Sequence, residues 1–198
     1  LDKTRKIDKK GSEVMHLFKY QLDEHLALIK PTLEMAQEMV QVIEANKEYI
    51  GEYLDFVDTI EGEQSQIDFL KMRFNQEAEG TGRQYMITYA DEIVGSIDLH
   101  NISKDFKRAE VGYWLIPIVA GKGVMSLAVQ AVLAIAFEDM RLNKVSLHAD
   151  VDNIASNRVA QKNGFTFEGT LRKDIPLRGE FRDMNLYSIL ETEFKVSK

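Results

Sequence analysis

Met15 opens the first alternating segment, 15–22, which predicts a strand, and 25–30 reads as a second short strand. Pro31-Thr32 then stops the second strand and offers a helix cap. From there to about Asn46 the period lengthens, because Leu33, Met35, Ala36, Met39, Val40 and Ile43 recur at three- and four-residue spacing. That is one helical face, with Glu34 in the first turn where the macrodipole favours a carboxylate. A second amphipathic helix is predicted over 64–78 by Ile67, Leu70 and Phe74, and Gly80 supplies a left-handed stop. Between the helices, Tyr49, Tyr53 and Phe56 are interleaved with Glu48, Glu52, Asp55 and Asp58. The segment reads as a helix–helix joint or as one wall of a substrate groove, packing being the commoner fate of aromatics near helix ends.

Further strands are predicted at 84–90 and 93–100, joined by the polar turn Asp91-Glu92 as in a hairpin, and at 109–116 after a charged loop. Pro117 cannot donate to a ladder, so the third of these strands must lose its pairing there or bulge. Gly121-Lys122-Gly123 opens a helix over 124–140 that is apolar nearly all round and is therefore buried on more than one side. Over 144–151, Val145, Leu147, Ala149 and Val151 share one strand face, and Ser146, His148 and Asp150 share the other. Strand, helix and strand form a β–α–β unit, so 109–116 and 144–151 should run parallel. A helix at 154–163, closed by Asn163-Gly164, precedes strands near 165–170 and 184–190. No repeat or linker interrupts the chain. It reads as a single α+β domain over 15–198 around a mixed sheet, with the polar, aperiodic stretch 1–14 set aside as a flexible leader or expression remnant.

Composition narrows the function. With 198 residues, 44% apolar and 29% charged, the chain is long enough to bury a core without cross-links. Asp and Glu outnumber Lys and Arg by 32 to 25, and the formal charge of −7 opposes phosphate-backbone binding, so no nucleic-acid partner is expected. Such a body attracts cationic partners instead. The absence of cysteine removes disulfides, thiolate zinc sites and a cysteine nucleophile, and fits a reducing cytoplasm. No metal is expected. The most apolar stretch, 124–137, is interrupted by Ser126 and Gln130 and is shorter than the ~20 residues a spanning helix needs, so no membrane association is expected.

Two stretches carry chemistry. The run A-G-K-G-V-M at 120–125 lies between a strand and a helix, where two glycines permit a tight turn and free N–H groups favour an anion such as a pyrophosphate. A plain turn explains it equally well, and neither standard nucleotide motif is met: the Walker spacing would need glycine where Ile116 stands, and the dinucleotide pattern lacks its third glycine. The run N-I-A-S-N-R-V-A-Q-K-N-G-F-T-F-E-G at 153–169 can be read residue by residue as a capped helix, but the combination is far less generic.

Taken with E-V-G-Y-W-L at 110–115 and a tail holding Leu171-Arg172, Gly179, Asp183 and Tyr187, these runs resemble the GNAT superfamily of acetyl-CoA-dependent N-acetyltransferases over about 15–192. Within it, the Rim-type ribosomal-protein N-acetyltransferase branch is the nearest in pattern. The resemblance implies a GNAT fold, a mixed and mostly antiparallel sheet flanked by helices, whose central parallel strands splay apart near Pro117. It implies acetyl-CoA as co-substrate, with the backbone of Leu115, Ile116 and Ile118 along pantetheine. Gly121, Lys122, Gly123, Val124 and Met125 would meet the pyrophosphate, and Asn153, Ser156 and Asn157 would line the thioester end and the arm.

Two positions depart from the pattern. Ala120 stands where an Arg or Gln is usual, which removes a side chain but no backbone amide. Some Rim-type enzymes are thought to pair the serine matched by Ser156, as general acid, with a glutamate nineteen positions later as base; here that position is Ile175. The remaining base candidates are Glu110 and His100, each with a plainer alternative: Glu110 pairing with Lys107 or Arg108, and His100 bonded to backbone. His16, His25 and His148 show no partner pattern, and Tyr187 is a thiolate donor or a core residue. The acceptor reads as a primary amine on a cationic partner, foremost a protein N-terminus, entering opposite the cofactor arm past Tyr49, Tyr53, Phe56 and His100. Alternatives are a polyamine, amino acid or aminoglycoside, or a CoA-binding module without turnover. Oligomeric state is open, a homodimer included.

Overall fold

The computed structural model describes residues 6–7, 13–14 and 18–195. Lys6–Ile7 (β1) and Glu13–Val14 (β2) form a two-stranded antiparallel ladder of their own, within the stretch set aside as a leader. The part of the first expected strand at 15–17 lies outside the described residues. The remaining strands are Lys19–Gln21 (β3), Leu26–Ile29 (β4), Arg83–Tyr89 (β5), Glu92–Ser103 (β6), Arg108–Leu115 (β7), Lys144–Asp150 (β8), Thr166–Leu177 (β9) and Glu180–Leu190 (β10). They build one sheet in the order β3-β4-β5-β6-β7-β8-β10-β9. Every neighbouring pair is antiparallel except β7 and β8, which the helical crossover makes parallel.

The period of two sends alternate residues into different layers. On β5, Tyr85 and Ile87 enter the large core cluster, which also holds α4 (Val124–Ala134) and Ala160 of α5 (Ile154–Lys162). Met86 between them packs into a second cluster with α1 (Ala36–Ala45) and α3 (Glu63–Glu79). This two-layer cover of a mixed sheet is the expected α+β GNAT architecture. Among the described residues, no helix is long and apolar enough to cross a membrane.

Local departures have local causes. The β5–β6 hairpin turns at Ala90 and Asp91 (φ 52° and 64°), one residue earlier than expected, because both central residues of this tight turn must be left-handed. The helix expected to run to 140 ends as α4 at Ala134 and continues as a wide π turn over Ile135–Asp139. The last two strands are longer than expected, pairing from Ser188 with Thr166 out to Glu180 with Leu177. Residues 172–176 of β9 are exposed, so no core face imposes an apolar alternation on them. The aromatic segment 48–58 is ordered as α2 (Lys47–Ile50) followed by a 3-10 turn, Asp55–Thr59.

Candidate active site

The feature that organises the site is a split in the sheet. β7 and β8 pair at Arg108 with Lys144, Ala109 with Val145 and Glu110 with Ser146, and then separate while both run on, to Leu115 and Asp150. The expectation of a splayed central pair holds, but the split begins after Glu110, well before Pro117, which instead opens the 3-10 turn Pro117–Val119. β7 stays paired with β6 out to Leu115, and Ile116 N–H donates to Val94 C=O at 2.9 Å. Alternation along the strand then turns the N–H and C=O of Tyr113 and Leu115 toward the gap, a row of backbone polar groups available to a ligand.

Below the gap, the loop at Gly121 to Gly123 leads into α4. Both glycines hold left-handed backbone (φ 74° and 83°), which side chains rarely adopt. A Cβ at Gly121 would meet nothing within 4 Å, and one at Gly123 only the Lys162 Nζ at 3.9 Å. The first backbone bond of α4 runs from Leu127 N–H to Gly123 C=O at 3.1 Å, so the N–H groups of 124–126 precede the helical ladder. Val124 and Met125 bury their side chains in the core and present only backbone here, whereas Lys122 and Ile118 are exposed. Open left-handed glycines, unclaimed helix-start amides and the Lys162 ammonium together fit a pyrophosphate.

At the other end of the gap, Asn153 caps α5, its Oδ1 accepting from Ser156 N–H at 3.0 Å. The Ser156 Oγ lies 2.9 Å from the Tyr113 hydroxyl, which crosses from β7. Burial pushes the Tyr113 phenol up to about 12, against a smaller opposing effect of the Ser156 hydrogen bond, so it keeps its proton throughout the neutral range. Asn157 is differently employed. Its Nδ2 donates to Asp150 C=O and Asn153 C=O (2.8 Å each), and its Oδ1 accepts from Asn185 Nδ2 and Tyr187 Oη (2.8 Å each). With all four valences used inside the fold, its side chain holds α5 against β8 and β10 and has none left for a ligand. The same bond ties up Tyr187, which is buried.

The opposite face of the sheet carries a chain of charges at the apex of the split. Arg73 Nη2 lies 3.0 Å from Asp98 Oδ2, Asp98 Oδ1 lies 2.7 Å from His100 Nδ1, and His100 Nε2 lies 3.2 Å from Glu110 Oε1. His148 Nδ1 on β8 is 3.7 Å from the same Glu110 oxygen. Burial favours a neutral His100, but the Asp98 and Glu110 carboxylates outweigh it and push the ring up to about 9. Glu110 is displaced the other way: burial raises it, and His100 and His148 together pull it below the usual carboxylate range. Gly112 makes room for this arrangement, since a Cβ there would lie 3.1 Å from His100 Cε1. Neither plainer alternative describes the pair, because Glu110 meets His100, Asn101 and His148 rather than Lys107 or Arg108, and His100 binds side chains rather than backbone.

The aromatic segment stands beside the open strand ends. The Tyr53 hydroxyl donates to Asp152 C=O at 3.2 Å; burial, then Glu52, Asp150 and Asp152, push its phenol up to about 12. Phe56 packs on Trp114 of β7 with ring centroids 6.4 Å apart, and Tyr49 is exposed. Asp58 is taken up by Lys47 at 3.1 Å and Arg178 at 3.3 Å, which ties the segment to the β9–β10 hairpin. Tyr113, Trp114, Lys162, Asp98 and Arg73 were given no role from the sequence, and His148, expected to have no partner, lies beside Glu110 instead. A usable signal existed for two of them: alternation puts Asp98 beside His100 on β6, and the parallel unit brings His148 past Glu110.

Residues 25–166 match the family model described as an acetyltransferase (GNAT) domain. The chain is similar to a putative ribosomal N-acetyltransferase of Bacillus subtilis, 27% identical over 183 residues that cover 92% of this chain and 100% of that one. It is similar to the ribosomal-protein-serine acetyltransferase of Escherichia coli, 31% identical over 150 residues, 76% of this chain and 84% of the relative. A solved ribosomal L7/L12 alpha-N-protein acetyltransferase in complex with coenzyme A superposes with a TM-score of 0.84 at 25% identity, over 87% of this chain and 98% of that one.

Proposed function

This chain belongs to the GNAT family and is an acetyl-CoA-dependent N-acetyltransferase; on that premise we propose that its acceptor is the α-amine of a protein N-terminus, of the ribosomal-protein kind on which its relatives act. The observation that carries the choice of amine is the state of Glu110, the carboxylate at the apex of the split. Held below the usual carboxylate range by two imidazoles, it is not itself available as a strong base, and the apex offers an imidazole at best. An α-amine, with a pKa near 7.7–8.0, is partly neutral at physiological pH, whereas a lysine amine near 10.4 needs a stronger base.

Gly121, Lys122, Gly123 and the amides of Val124 and Met125, with Lys162, would hold the pyrophosphate, and the gap-facing backbone of Leu115 and its neighbours would line the arm. Bound there, acetyl-CoA supplies an activated acetyl group on a good leaving group. The chain's own share is to juxtapose the two reactants across the split and to offer a backbone N–H of β7 to the acetyl oxygen, where charge develops. Ser156, with the Tyr113 proton behind it, can donate to the departing sulfur. A thiol of pKa about 8.5 needs little such help, so this donor assists without being indispensable. On the opposite face, Tyr53, Phe56 and Trp114, with Glu52 and Asp55 exposed beside them, would guide a cationic acceptor.

The test is acetyl transfer to a peptide panel, read by fragmentation mass spectrometry. Peptides with a free N-terminus should be acetylated on the α-amine, and N-blocked peptides with an internal lysine should not. Transfer confined to lysine side chains or to spermidine would move the assignment to those acceptors. No thiol release with any amine would leave a CoA-binding module.

A further inference from the structure

The Glu110 carboxylate has an imidazole on each side, and the two differ in what else they touch. His100 is clamped at both ring nitrogens, by Asp98 at 2.7 Å and Glu110 at 3.2 Å, and behind Asp98 stands Arg73, 9% exposed. With both ring nitrogens against carboxylates, His100 has none left to take a proton from a substrate, although its side chain is 30% exposed. His148 meets Glu110 through Nδ1 alone, at 3.7 Å, and its side chain is a quarter exposed. It sits two residues past the last paired position of β8, where the split has opened, and continuing that register would set it opposite Gly112, which has no side chain.

We propose that His148 is the proton acceptor for the amine, that Glu110 orients it as the carboxylate of a carboxylate–imidazole dyad, and that His100 is a positioning residue that fixes Glu110. This rests on the acetyl-transfer reading but not on which amine is the acceptor. With Nδ1–H turned to Glu110, the lone pair lies on Nε2 at the far edge of the ring. His148 Nε2 first takes a proton from the ammonium form of the acceptor and passes it to solvent. As the neutral amine nitrogen then bonds to the acetyl carbon, the carbon–sulfur bond breaks with its electron pair leaving on the coenzyme A sulfur, which takes up the second amine proton. The 3.7 Å separation is long for a hydrogen bond, as such pairs often are before substrate closes the site. The other charged groups around His148 on this face are already paired: Asp150 with Arg182 at 2.8 Å, and Lys144 with Glu168 at 2.9 Å.

The experiment measures thiol release from acetyl-CoA with a series of small primary amines of graded basicity, at one pH, for the wild type, His148→Gln, His100→Gln and the double variant. A weakly basic amine that is already neutral at that pH has no proton to lose before attack. His148→Gln should therefore lose roughly 10²-fold in kcat with basic amines and about twofold with the weakest, the scale of a general base. The KM for the amine and the calorimetric affinity for coenzyme A should stay within about twofold. His100→Gln should lose roughly tenfold with the same dependence on basicity, and the double variant should be no worse than His148→Gln alone, because both act through one dyad. If His148→Gln fails to bind coenzyme A, His148→Asn and Glu110→Gln carry the same comparison. A loss equal across the amine series, multiplicative losses in the double variant, or an unchanged kcat would each overturn the assignment. Because small amines are used, these outcomes stand whether or not protein N-termini prove to be the acceptor.

Discussion

Replacing His100 by Gln should make the stability difference from wild type depend on pH in a defined window. The ring is held between carboxylates 2.7 and 3.2 Å away and titrates at about 9 in the folded chain, against about 6.5 unfolded. A gap of ~2.5 units at ~1.36 kcal/mol per unit sets a ceiling of about 3 kcal/mol. The side chain is 30% exposed, and the same attraction is what depresses Glu110, so the two shifts describe one interaction and must not be added. An effect of about 1–2 kcal/mol is the working expectation. Because the folded value is raised, this stability is fully present below the unfolded value of 6.5 and is lost as pH climbs through 9. Glu110 is lowered, so its share is present above its ordinary value near 4.5 and disappears as pH falls below it. Urea titrations followed by far-ultraviolet circular dichroism at pH 6, 7.5 and 9.5 should show the wild-type advantage over His100→Gln greatest at pH 6 and largely gone at pH 9.5. A difference that stays constant across that range would mean that His100 is not held as a cation, and the reason for excluding it as the base would fall.

Other perturbations test separate parts of the site. Gly123→Asp puts a side chain on left-handed backbone and a negative charge beside the α4 amides, so coenzyme A affinity measured by calorimetry should fall at least tenfold in a folded variant. Ser156→Ala should lower kcat by about tenfold, roughly 1.4 kcal/mol, and Tyr113→Phe by less, with the double variant close to Ser156→Ala because one 2.9 Å bond joins them. Glu52→Gln with Asp55→Asn should raise the KM of a cationic acceptor peptide, more at low salt than at high salt, with coenzyme A affinity unchanged.

The fold was legible wherever one face of an element is buried. Alternation of Val145, Leu147 and Ala149 with Ser146 and His148, and the three- and four-residue spacing of Met39, Val40 and Ile43, specify which side meets the core. The β–α–β unit fixed the single parallel pair by handedness and crossover length. Where neither face is buried, as over 172–176, the pattern carries no register and the outer hairpin was shortened. The site divides along the same line. Ser156, Asn153 and the two loop glycines lie in contiguous motifs and could be named. The Arg73, Asp98, His100, Glu110 and His148 chain draws on α3 and three strands, and it becomes visible only once register is known. Asn157 shows the converse: a motif position that resembles a ligand contact can have its side chain consumed by the fold.

The two departures from the family pattern then have a common physical reading. Ala120 deprives the loop of an Arg or Gln, yet the groups that favour an anion there are backbone amides and the helix dipole, which no side-chain change at 120 removes. The Lys162 ammonium, brought beside Gly123 from the far end of α5, supplies positive charge at the same place from a different element. Ile175, on the exposed edge of β9, deprives the tail of a carboxylate. Glu110 instead sits where the sheet parts, between imidazoles from two other strands. In both cases the charge comes from rigid elements, the end of a helix and the apex of a split, so the requirement is one of position rather than of a particular residue in a particular motif. A sequence pattern records only the commonest way of meeting it.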